Sequence, residues 1–64
     1  MLDSIGSRIT KARLFRNLNQ KELAQKIGVE PATISKYESG MNEPNIKNLK
    51  SIAEALDTSI DELV

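Results

Sequence analysis

A chain of 64 residues has room for one domain, and at that size only about 60% of the surface of the unfolded chain is buried on folding, so its stability is modest. The absence of cysteine and histidine excludes disulfides and the usual zinc sites, no apolar run approaches a membrane span, and the core must come from economically packed helices. Nine basic and nine acidic residues cancel overall but not along the chain: residues 8–36 hold seven basic side chains against two acids, residues 37–64 hold two lysines against six acids, and Asp3 completes the balance. Such asymmetry marks either one face for an anion or a chance split over solvated helix surfaces.

The N-terminal stretch MLDSIGSR lacks the apolar segment of a signal peptide, and a reducing, cytoplasmic setting fits the cysteine-free composition. No repeat, linker or low-complexity segment is visible, and the alternation of β-branched and aromatic residues that marks strands is missing. The expected fold class is therefore all-α, as five short helices in a single domain over residues 1–64.

The first helix is predicted from about Ser4 to Arg16, with Ile5, Ile9 and Ala12 as its apolar stripe and Asn17 able to take the left-handed conformation that ends a helix. The second starts at Asn19-Gln20-Lys21-Glu22, a reciprocal cap in which Asn19 and Glu22 each satisfy an orphan amide. It turns Leu23, Ala24 and Ile27 inward and stops at Gly28. The third starts at Glu30-Pro31, since proline is tolerated at the first helical position, and ends at Gly40 with Ile34 and Tyr37 inward. Asn45, after Pro44, caps a fourth helix whose stripe is Ile46, Leu49, Ile52, Ala53 and Leu56. Ser59-Ile60-Asp61-Glu62 is a second capping box that opens a short fifth helix carrying Leu63.

The middle pair reads as a helix-turn-helix over about Gln20–Gly40. Two short helices joined by a tight turn must cross steeply with close backbones. Ala24 sits where a larger side chain would push them apart, Gly28 allows the positive φ of the turn, and Val29 plugs the turn from within. Leu23, Ile27, Ile34 and Tyr37 supply the shared core. The stretch QKELAQKIGVEPATISKYESG resembles the Xre family, the helix-turn-helix domains of phage-repressor and Cro type. Ile5-Gly6-Ser7-Arg8-Ile9 with Ala12-Arg13 is similar to the family's first helix. Pro44 with Ile46, Leu49, Ile52-Ala53 and Leu56 is similar to its fourth, and Ser59-Ile60-Asp61-Glu62-Leu63 to its fifth, so the resemblance covers essentially the whole chain. It implies a compact five-helix phage-repressor-like domain, a homodimer on double-stranded DNA with the third helix in the major groove, and a structural ion pair between Arg13 and Glu38.

With Ile34, Tyr37 and Glu38 inward, helical geometry leaves Pro31, Ala32, Ser35 and Lys36 outward for base readout, with Glu30 at the edge. Lys36 can donate to guanine O6 and N7, Ser35 can donate or accept, and Ala32 and Pro31 offer only apolar contact, as to a thymine methyl; Glu30 can accept from cytosine N4 but reads first as a local charge at the helix start, where the dipole favours an acid. Gln20, supported by the resemblance, and Ser39, Asn42 and Lys47, which flank the third helix, are the candidate phosphate contacts. Asn42 reads equally as a turn former and Lys47 as a solvated lysine. Arg8, Lys11 and Arg16 supply either general attraction or ordinary exposed charge. Leu14 lies opposite the first helix's apolar stripe and Phe15 at its edge, and exposed apolar residues are ordinary singly and a partner surface when contiguous. Ile60, Leu63 and Val64 either pack inward or help form a dimer.

The leading expectation is a sequence-specific regulator, a repressor of a palindromic operator. The competing one is a protein-interaction module such as an antitoxin, since the family includes such proteins and fold alone does not separate them. An enzyme is disfavoured: histidine, cysteine and a glycine-rich phosphate loop are lacking, and Asp57, Asp61 and Glu62 read as loop and helix-start acids. No cofactor, metal or membrane contact is expected. A further C-terminal domain or a protein partner is left open, and the chain reads as either a minimal regulator or an excised N-terminal domain.

Overall fold

The computed structural model describes residues 4–64; Asp3, counted in the charge balance, and the start of the MLDSIGSR stretch lie outside the described residues. Among the described residues there are five helices and no strand: α1 (Ile5–Phe15), α2 (Gln20–Ile27), α3 (Pro31–Ser39), α4 (Ile46–Ala55) and α5 (Ile60–Leu63). None of them is long and apolar enough to cross a membrane.

The helix ends follow local chemistry. Ser4 accepts the Ser7 amide to cap α1, and Asn17 then takes φ 59° to turn the chain. Asn19 and Glu22 form a reciprocal capping box on α2, which ends in left-handed Gly28 (φ 77°). Pro31 opens α3 and left-handed Gly40 (φ 85°) closes it. Asn45 caps α4 by accepting the Asn48 amide. The expected second capping box forms by half: Ser59 accepts the Glu62 amide, while the Glu62 side chain lies along a cleft with Arg8 and Lys11. The termination of α4 falls on Asp57, a non-glycine residue at φ 55°.

The core runs through every helix. Ile9, Leu23, Ala24, Ile34, Tyr37, Leu49, Ile52, Ala53, Leu56 and Leu63 are buried, with Ile5, Ala12, Leu18, Ile27, Val29, Ala55 and Ile60 packed around them. In this arrangement α2 packs on α3 and α4, α1 packs on α3, and α5 closes over α1 and α4. Ile46 departs from the expected stripe of α4: at the first helical position it is 74% exposed, because the core begins one turn later at Leu49. At the C-terminal end Leu63 is buried, Ile60 is half-buried and Val64 is exposed.

The crossing of α1 over α3 depends on a residue whose role is not local. A β-carbon on Gly6 would meet the backbone oxygens of Tyr37 and Glu38, the latter at 2.6 Å. Glycine there lets the two backbones approach far enough for the Arg13 and Glu38 side chains to meet. Gly6→Ala should therefore destabilise the fold by about 1–3 kcal/mol, the usual cost of forcing a methyl group into a packed contact. Urea unfolding checks this; an unchanged midpoint would show that α1 can lift off α3 without loss.

Candidate nucleic-acid interface

The inner face of α3 is fixed by more than packing. Tyr37 is buried and its hydroxyl accepts a hydrogen bond from Asn48 Nδ2 at 2.9 Å, which ties α3 to α4. Glu38 receives Arg13 on both carboxylate oxygens, Nε at 2.7 Å and Nη2 at 3.1 Å, and also receives Gln20 Nε2 at 3.0 Å. Arg13 gives its remaining terminal nitrogen, Nη1, to the Leu18 carbonyl at 2.7 Å, so one guanidinium joins α1, the turn into α2 and α3. The side chains of the pair are only 11% and 7% exposed. A planar fork with several directed donors does this; a lysine ammonium would not.

Burial pushes the Glu38 carboxyl up, but hydrogen bonds from Arg13, Gln20 and Thr10 and the Arg13 charge pull it further down, leaving it below its ordinary value of 4.5. The Thr10 hydroxyl has one proton, shared between Glu38 and the Gly6 carbonyl, which lies at 3.0 Å.

Against this braced inner face, the outer face is open. Pro31, Ala32, Ser35 and Lys36 are all exposed, on the N-terminal and middle turns of α3. Glu30 is the N-cap position but its side chain makes no capping bond. Four expected readers thus share one surface. The flanking set is more varied. Gln20 is half-buried, with its amide turned to Glu38. Ser39 gives its single proton to the Lys36 carbonyl at 3.1 Å and accepts the Met41 amide at 3.4 Å, so its hydroxyl shapes the turn after α3, and donation to a phosphate requires it to rotate. Asn42 is exposed, with its backbone amide on the Lys36 carbonyl at 3.3 Å, and Lys47 is exposed on α4.

The basic residues of α1 are placed elsewhere. At about 100° per residue, Gly6, Thr10 and Arg13 share the face toward α3, and Arg8, Ala12, Phe15 and Arg16 lie on the far side. Arg8 Nη1 donates to the Val64 carbonyl at 2.7 Å. Arg16 Nε donates to the Leu56 carbonyl at 3.0 Å, and its Nη2 meets the Asp57 carboxylate at 3.0 Å. Cations on the last carbonyls of a helix are favourable there, and neither arginine is turned toward α3. These partners lie 40 to 56 residues away in sequence, so no local signal announces them. Arg8, Lys11, Ala12 and Phe15 of α1 line a cleft with Thr58, Glu62 and Leu63; Phe15 is 81% and Leu14 58% exposed.

Residues 9–63 match the profile of the helix-turn-helix family. The chain is 42% identical over 59 residues to the cryptic phage CTXphi transcriptional repressor RstR of Vibrio cholerae, covering 92% of this chain and 53% of that protein. It is 39% identical over 59 residues to the transcriptional activator BcrR of Enterococcus faecalis, covering 92% of this chain and 29% of that protein. The chain thus spans about half or less of these curated relatives. Among solved structures, it is similar to the P22 c2 repressor in complex with a synthetic operator, at a TM-score of 0.92 and 33% identity over 98% of this chain and 96% of that one.

The geometry of the Arg13–Glu38 pair sets a pH dependence. Because Glu38 titrates below 4.5 when folded, the unfolded state binds the extra proton as pH falls, and the contribution present above that value is lost through the folded pKa. Glu38→Gln should lower stability at neutral pH by about 2–3 kcal/mol, since it leaves a nearly buried guanidinium without its charge partner. In urea unfolding across pH, the gap between the two proteins should narrow as pH drops below that value. A gap that stays constant through acid would mean that the carboxylate charge is not what holds α3.

Proposed function

This chain belongs to the helix-turn-helix family of Xre and Cro type, and from that premise we propose that it is a sequence-specific transcriptional regulator that represses by binding a palindromic operator as a homodimer. The observation that carries the proposal is a helix with two unlike faces: α3 is locked inward through Ile34, Tyr37 and Glu38, and outward it exposes Pro31, Ala32, Ser35 and Lys36 together. A helix held this rigidly can present side chains to the major groove without being ordered at the moment of binding.

The size of the domain supports dimer binding. The domain measures 29 × 23 × 22 Å, so one copy covers one stretch of groove, and two half-sites about 34 Å apart on one DNA face take two copies. Repression is supported by the likeness to RstR and to the P22 c2 repressor on its operator; BcrR, an activator, shows that the same domain serves either outcome. Lys36 is assigned to guanine, Ser35 to a donor or acceptor edge, and Ala32 with Pro31 to thymine methyl groups. Gln20, Asn42 and Lys47, with the Ser39-braced turn, are assigned to phosphates, where they set register rather than sequence.

Selection from a pool of random duplex DNA, repeated at two salt concentrations, tests this reading. The expected result is a two-fold symmetric sequence whose affinity falls as salt rises. Lys36→Ala should then relax preference at one position in each half-site at a cost of about 1–3 kcal/mol. Recovery of no preferred sequence at low salt would overturn the operator reading, and unchanged preferences in Lys36→Ala would displace Lys36 from base contact.

A further inference from the structure

Glu38 makes one contact more than it needs to anchor α3. Its two bonds from Arg13 already join α1 to α3, and the packing of Leu23, Ala24 and Ile34 already holds α2 on α3. The bond from Gln20 Nε2 to Glu38 Oε1, at 3.0 Å, adds something different: it sets which way round the Gln20 amide sits.

A primary amide has two edges of equal size, one donating and one accepting, and a neutral site admits either. An ionised carboxylate only accepts. The same Oε1 also takes Arg13 Nη2 at 3.1 Å, so it is held in place and cannot swing to accommodate a flipped amide. The Gln20 carbonyl is therefore excluded from Glu38, and the NH2 group is held there with its second hydrogen unused by that bond.

Gln20 is the first residue of α2. The capping box consumes the amide of Asn19, on Glu22 Oε1 at 2.8 Å, and the amide of Glu22, on Asn19 Oδ1 at 2.7 Å. The remaining first-turn amides, on Gln20 and Lys21, have no intrahelical acceptor. A Gln20 amide turned the other way would set its carbonyl against the Glu38 carboxylate, where two acceptors repel.

We propose that Glu38 is a positioning residue for DNA binding: it locks the flip of the Gln20 amide so that an N–H, together with the first amides of α2, faces a DNA phosphate. The proposal rests on the assignment of Gln20 to phosphate made above. It gives the buried network a second task, because the group that holds the recognition helix also orients the phosphate contact on the neighbouring helix. A phosphate contact carries no base information, so the part of the effect that passes through Gln20 falls on affinity for every sequence alike.

The test is a double-mutant cycle on duplex affinity, using Gln20→Ala, Glu38→Gln and the pair, with each protein's folded fraction measured alongside. Each single change should weaken binding about tenfold, the size of one hydrogen bond to a charged group. The double should be no weaker than Gln20→Ala alone, with each affinity corrected for that protein's folded fraction, since the two residues share a hydrogen bond and their stability losses are coupled as well. Gln20→Lys, which donates on every side, should restore affinity to Glu38→Gln. Weakening by Gln20→Ala with wild-type affinity in Glu38→Gln overturns the proposal and keeps the phosphate assignment; wild-type affinity in both overturns both. Losses that multiply in the double also overturn it. Should Glu38→Gln fail to fold, NMR of the unmodified protein decides. One side-chain amide proton of Gln20 should lie downfield and move only as Glu38 protonates in acid, and a pair of free-amide shifts would contradict the lock.

Discussion

Everything in this small domain hangs on one ion pair, Arg13 with Glu38, placed nearly out of solvent at the crossing of α1 over α3. Burying opposite charges is costly unless their hydrogen bonds are completed. Here they are completed: Arg13 uses Nε, Nη1 and Nη2, Glu38 uses both oxygens, and among the described residues no buried side-chain nitrogen or oxygen lacks a partner. The pair also demands close backbones, which Gly6 permits. Its consequence is a scaffold in which the third helix cannot roll, and a helix that cannot roll keeps its outward residues in one register.

The same crossing divides the molecule. One side of α1 serves α3, and the other carries Arg8 and Arg16 to carbonyls near the ends of α5 and α4. Two of the basic side chains that make the first half of the chain look suited to an anion are thus used to close the fold. The field offered to a polyanion falls to fewer residues, with Lys36 and Lys47 exposed beside the proposed DNA face. A net charge of zero is then unsurprising in a DNA-binding domain: phosphate contact through helix-start amides and neutral donors needs little excess charge.

Much of the fold was legible from sequence because the signals were local. Asn19 with Glu22, Pro31, Gly28, Gly40 and Asn45 each act within four residues of themselves, and they mark where α2, α3 and α4 begin or end. The inward set Leu23, Ala24, Ile34 and Tyr37 follows from helical spacing. What escaped was long-range. The clash a side chain would make at Gly6 lies on another helix, Arg16 and Arg8 find acceptors 40 to 56 residues on, and Asn48 meets the Tyr37 hydroxyl across a helix pair. Ile46 continued an apolar spacing beyond the end of the core and came out exposed. At the candidate site the outward residues of α3 were predictable from their inward neighbours, but the use of Gln20 and Ser39 was not, because a polar side chain's partner depends on what packing brings within reach.

In the proposed complex, DNA meets the α2–α3 side of the domain and not the α1–α5 side. Backbone amide shifts on titration with the selected duplex test it most directly. The largest changes are expected at Gln20, Lys21, Ala32, Ser35, Lys36, Asn42 and Lys47, with Arg8, Lys11 and Phe15 left in place. Changes centred on Arg8, Lys11 and Phe15, with α3 undisturbed, would contradict it.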